Sequence, residues 1–167
     1  MKKYETDSEY LSIIEDILNN EDFNIMGATK HHNTTRLNHM LKVSYKSYKI
    51  SKKLKLDYKS TARAALLHDF YLEQINDCNQ IKDKVTLFTG HSMRAIDNAK
   101  KITNLNKKEE DIIKTHMFPV YYKVPKYKES WLVSVIDKYF SIGEFYDLYS
   151  TKLAYLANLF LIFLIKR

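Results

Sequence analysis

Three glycines and two prolines in 167 residues leave this chain almost no material for tight turns. Sandwiches and barrels need many turn residues, so the scarcity predicts an all-α fold of long helices and short connections. The length fits one domain, spanning 1–167, large enough to bury a core without disulfide staples. Hydrophobic residues at 45% and charged residues at 28% are ordinary globular values.

The single cysteine, Cys78, excludes an intrachain disulfide and a Cys-x-x-Cys zinc site, and suits a reducing compartment. The N-terminal stretch turns acidic at Glu5 and Asp7 and carries no apolar signal core, so the expected location is cytoplasmic. A formal charge of +7 favours an anionic partner without choosing among phosphate esters, nucleic acid and lipid. No basic-aromatic motif of a nucleic-acid-binding module appears, so nucleic acid is not the expected partner. The apolar run from Ala154 to Ile165 falls short of the roughly 20 residues that span a bilayer. It is expected to be a buried terminal helix or a homodimer-forming one, with no membrane attachment.

About seven helices follow from the periodicity, with no convincing strand and no internal repeat. Ser8–Asn19 is the first, after a capping-box pattern in Thr6-Asp7-Ser8-Glu9. Asn20 to Asn33 is polar and reads as a loop. Thr35–Leu54 is a long helix with Met40, Val43, Ser47, Ile50 and Leu54 as its buried stripe. Lys42, Lys46, Lys49 and Lys53 flank that stripe, and His39 falls on the border. Asp57 or Ser60 caps a helix running to His68-Asp69. Asn76–Thr89 reads as a connection, entering a helix at His91–Thr103 through Thr89-Gly90. Asn106 and Glu109 resemble a capping pair before Lys107–His116. Pro119 and Pro125 mark a loop. Glu129–Tyr149 is helical with a break or bend near Gly143, and Thr151–Lys166 is the last helix.

Several ionisable residues sit where apolar ones belong. His91 shares a stripe with Ala95, Asn98 and Ile102; His116 follows Ile112 and Ile113; Asp137 follows Val133 and precedes Phe140; His68 follows Ala64 and Ala65. These spacings place each on the inward side of its helix. One such histidine is usually a satisfied core residue. Several imidazoles and two carboxylates on different helices point to a shared metal, because burial of such groups is costly unless they are paired or coordinate an ion. Mixed imidazole and carboxylate ligands suit Fe, Mn, Zn, Ni or Co.

His39, the pair His68-Asp69 within Ala64-Ala65-Leu66-Leu67-His68-Asp69, and Asp137 within Val135-Ile136-Asp137-Lys138 resemble the H…HD…D pattern of the HD superfamily. His91 and His116 lie between them, as in its two-metal members. The resemblance covers roughly residues 30–145 and is similar to a group of small bacterial single-domain proteins. It implies a helical bundle of the HD-domain type and a metal-dependent phosphohydrolase using one or two divalent ions. By the same resemblance, His39, His68, Asp69 and Asp137 hold one metal, while Asp69 bridges to a second held by His91 and His116. A metal-activated water then attacks phosphorus. The frequent H-D-I-G-K stretch is replaced here by His68-Asp69-Phe70-Tyr71-Leu72, so a cyclic-dinucleotide phosphodiesterase role does not carry over.

Asp69 and His68 are accordingly expected at the catalytic centre, with Lys138 and Arg36 as further catalytic or substrate-binding groups. Arg36 lies three residues before His39 and so shares its helix side, while Lys138 adjoins Asp137. Lys42, one turn beyond His39, and His32 are expected to contact substrate; His31 or His32 is a candidate general acid. Tyr71 and Glu73 are candidate pocket residues. The expected substrate is a nucleotide or other small phosphate ester. Two rivals share the same residues: a di-iron oxygenase, and a catalytically inert module that binds metal or nucleotide.

Overall fold

The computed structural model describes residues 3–27, 30–31, 34–71 and 81–165. After a short 3-10 turn at Lys3–Glu5, helix α1 covers Ser8–Leu18. Asp7 starts it by accepting a hydrogen bond from the Tyr10 amide at 3.2 Å, so the cap lies one residue later than the Thr6 pattern suggests. Tyr10, Ile14 and Ile17 then fall on one face and are buried.

The stretch expected to be a loop contains a helix, α2, at Glu21–Gly27. Asn20 accepts from the Phe23 amide at 3.2 Å, and the Phe23 ring packs 5.2 Å from that of Phe70. Phe23 is the one buried residue among those described in this helix, and the polar residues around it mask the helical period. A two-residue antiparallel ribbon follows, β1 at Lys30–His31 and β2 at Thr34–Thr35, with His31 opposite Thr34. Among the described residues every other regular element is helical.

Helix α3 covers Arg36–Lys53 behind an N-cap at Thr35. Its inward face is Met40, Val43, Ser44, Ser47, Tyr48 and Ser51, with His39 fully buried rather than at the border. The small serines let α4 approach closely. Ile50 is half-buried, and Leu54, expected in the stripe, is exposed. The helix stops before it, and Lys55 turns the chain away at φ 56°. Helix α4, Tyr58–Leu67, begins at Asp57 and buries Ala62, Ala64, Ala65, Leu66 and Leu67. Ser44 Oγ donates to the Ala62 carbonyl at 2.7 Å and accepts from Tyr10 OH at 2.9 Å, tying α1, α3 and α4 together. Arg63 joins Asp16 of α1 at 2.7 Å and Glu109 at 3.2 Å.

Helix α5 spans Ile81–Ile102 and so begins ten residues before the expected start at His91. Gly90 lies inside it, and an added methyl there would meet only Arg94 Nη2 at 4.0 Å. Gly90 reads as a stop signal in sequence, yet a glycine costs a helix interior only about 1 kcal/mol. Helix α6, Lys107–Thr115, carries the expected capping box, with Asn106 and Glu109 each bonding the other's amide at 2.9 and 2.8 Å. Helix α7 runs unbroken over Lys128–Ile165, so neither Gly143 nor Ser150 interrupts it. The described residues hold seven α-helices, because α2 was not foreseen and two expected terminal helices are one. Among them no helix is long and apolar enough to cross a membrane. Cys78 lies outside the described residues, as does most of the expected Asn76–Thr89 connection's first half.

Candidate metal centre

Helix α4 ends at Leu67, which makes His68 its C-cap. The last carbonyls of a helix lack intrahelical partners. His68 Nδ1 meets one of them, the Ala65 carbonyl, at 2.7 Å. Helix α6 ends the same way: His116 is its C-cap, and His116 Nδ1 lies 2.7 Å from the Ile113 carbonyl. A carbonyl only accepts, so each Nδ1 carries a proton, and in the neutral imidazole each Nε2 presents a lone pair to the interior.

These lone pairs converge with groups from three further helices. His39 comes from α3, His91 from α5 and Asp137 from α7, while Asp69 follows the α4 cap; all are buried. His91 Nε2 and His116 Nε2 are 3.0 Å apart, and each is 3.6 Å from Asp69 Oδ1. His68 Nε2 lies 3.5 Å from Asp69 Oδ2 and 3.5 Å from Asp137 Oδ1. His39 Nε2 is 3.1 Å from Asp137 Oδ1. The ligand atoms of His39, His68 and Asp69 lie within 4.8 Å of one another, as do those of Asp69, His91 and His116. Asp69 belongs to both groups and turns one oxygen to each.

His68 Nε2 tests whether a cation fits. It is buried, has no hydrogen-bond partner, and faces two carboxylate oxygens. Lone pairs opposed in this way are repulsive unless a positive charge lies between them. The local field is strongly cation-seeking. Burial works against charge on His39, yet the carboxylates of Asp137 and Glu144 raise its pKa to about 10. Burial likewise opposes His68, and Asp69 and Asp137 raise it. Burial alone would push Asp69 and Asp137 up, but the surrounding imidazoles hold both carboxyls below the usual range. Such a donor set fits a divalent transition metal.

Glu144 was missed in sequence. It is buried, its Oε2 lies 3.1 Å from His39 Nδ1, and its Oε1 accepts from Lys42 Nζ at 3.2 Å. Burial raises its carboxyl, and the His39 contact overcomes this and lowers it. The signal was present, since Glu144 lies two turns beyond Asp137 on the same face, but an expected break at Gly143 concealed it. Ser141 Oγ also reaches Asp137 Oδ1, at 3.4 Å.

The other expected residues divide. Arg36 is buried beside the site, donates to the Tyr71 carbonyl and lies 4.3 Å over the Tyr71 ring. Tyr71 in turn packs 5.1 Å from the His91 ring. Lys42 reaches Glu144. Lys138 Nζ donates to the His116 carbonyl and to Ser134 Oγ, both at 2.9 Å, joining α7 to the end of α6. Burial lowers its amine, with Asp137 opposing that. His32 and Glu73, and the side chain of His31, lie outside the described residues.

The family model of the HD domain matches residues 36–141, well over half the chain and every one of the six clustered residues. This chain belongs to the HD domain family. No curated protein and no solved structure matches it. An HD domain is generally a metal-dependent hydrolase that binds divalent ions, which agrees with the two groups that meet at Asp69. Glu144 lies just beyond the matched span.

Proposed function

We propose that this HD domain is a metal-dependent phosphohydrolase acting on a nucleotide or other small phosphate ester. One observation carries the reading: a single buried carboxylate, Asp69, is shared by two groups that can each hold an ion. In this reading His39, His68, Asp69 and Asp137 hold one ion, and Asp69, His91 and His116 hold the other. Bound there, divalent ions supply an activated water and neutralise charge on the phosphoryl oxygens.

The remaining chemistry belongs to the chain. The Ala65 and Ile113 carbonyls fix the rings of His68 and His116 so that both Nε2 atoms point inward. Glu144 does the same for His39, a role that outer carboxylates commonly play for ligating histidines. Arg36 holds the Tyr71 segment against His91, and Lys138 holds the turn that carries His116. The formal charge of +7 favours approach of an anionic ester.

The test is metal analysis of protein purified without chelator, paired with a panel of nucleotides and phosphate esters supplied with Mn²⁺, Fe²⁺, Co²⁺ or Ni²⁺. Phosphate release that follows metal content is expected. Silence across the panel at full metal occupancy, or oxygen uptake with a di-iron absorption band, would overturn the reading.

A further inference from the structure

Helix α7 turns two faces outward from its axis. Val133, Asp137 and Glu144 are buried against the protein's own bundle. On the opposite side, Val135, Tyr139, Ile142, Tyr146 and Tyr149 are between 55% and 71% exposed. They follow one another at steps of four, three, four and three residues. That is the spacing of a heptad seam, which sets one stripe of side chains along a straight helix. In the sequence the same register continues onto Leu153, Leu156, Phe160 and Phe163, and α7 remains helical to Ile165.

We propose that this stripe is where a second copy of the chain docks, helix against helix. A stripe of this kind is self-complementary, as the isologous interface of a two-fold dimer requires. Its area is also sufficient. Three of the five are tyrosines, each carrying about 150–250 Å² of which more than half is exposed; with Val135 and Ile142 the stripe brings roughly 600 Å² per copy, and two copies reach the ~1,200 Å² at which stable interfaces begin. Charge disfavours a lipid surface, which selects helices rich in Lys and Arg. Residues 128–152 of α7 hold only three lysines and no arginine. Docking on this face also leaves the opposite one, with Asp137 and Glu144, undisturbed.

Sedimentation equilibrium of the full chain across a concentration series tests this. A mass twice the 19.8 kDa of the single chain is expected at micromolar concentration. The double substitution Ile142→Lys/Tyr146→Lys places charge in the seam at exposed positions, so helicity by circular dichroism should persist. Its dimer dissociation constant should rise more than about a hundred-fold, since central apolar anchors dominate such interfaces. A wild-type chain that stays monomeric throughout, a helical double variant that dimerises as before, or a monomer that binds anionic phospholipid vesicles through this stripe would each overturn the proposal.

Discussion

Glu144 Oε2 lies 3.1 Å from Nδ1 of His39, on the opposite edge of the ring from Asp137. The imidazole is held between two carboxylates contributed by one helix, α7, two turns apart. Substituting Glu144→Gln leaves the ring in place but removes the charge that raises its basicity. Metal affinity should fall about 10–100-fold, with helicity unchanged. Competitive metal titration reads this directly, and an unaltered affinity would remove Glu144 from the centre.

Asp69 and His91 separate the two ion groups. Asp69→Asn should abolish metal retention and turnover together, because both groups include that carboxylate. His91→Ala should cost only the second ion, with the fold kept. Metal-to-protein ratios distinguish the cases. A His91→Ala protein that still binds two ions would show that the second group is drawn wrongly.

The hydroxyl of Tyr10 makes a structural contact that involves none of the six clustered residues. It donates to Ser44 Oγ at 2.9 Å, which itself bonds the Ala62 carbonyl. Tyr10→Phe keeps the buried ring and should cost about 1 kcal/mol in denaturant unfolding. Leu66→Ala, in the middle of the core, should cost about 2–5 kcal/mol.

Acid should loosen the junction of α4, α6 and α7. Burial raises the Glu129 carboxyl, but the Lys108 ammonium 2.9 Å away outweighs it and holds the group below its ordinary value. A carboxylate depressed in the folded state stabilises above its unfolded value, about 4.3, and that contribution disappears as pH falls further toward the folded value. Lys108→Gln should flatten the decline of stability in this acidic window. Denaturant midpoints measured at several pH values check it; parallel curves for wild type and variant would exclude the linkage.

The sequence exposes the clustered residues because each breaks a rule that its helix otherwise obeys. His91, His116 and Asp137 stand at inward positions where only apolar or satisfied groups belong, and the periodicity makes that visible. The capping box at Asn106 and Glu109 is legible for a similar reason, being a short-range exchange of hydrogen bonds. What escapes is set by tertiary context. Phe23 supports α2 by packing on Phe70, far along the chain, and no local pattern announces that. Gly90 and Gly143 resemble interruptions, but α5 and α7 continue through both, because a single glycine costs a helix interior only about 1 kcal/mol. Leu54 looks like a core residue only if the helix continues, and the turn at Lys55 prevents it. Glu144 follows from α7 once that helix is known to be continuous.

His68 and His116 are both punctuation marks of their helices, and that placement has a thermal consequence. Terminal turns open at lower free energy than the bodies of helices. Releasing the Ala65 or Ile113 carbonyl frees the corresponding ring to rotate. On warming, the centre should therefore lose its grip on an ion while most of the amide backbone is still protected, so that inactivation precedes melting.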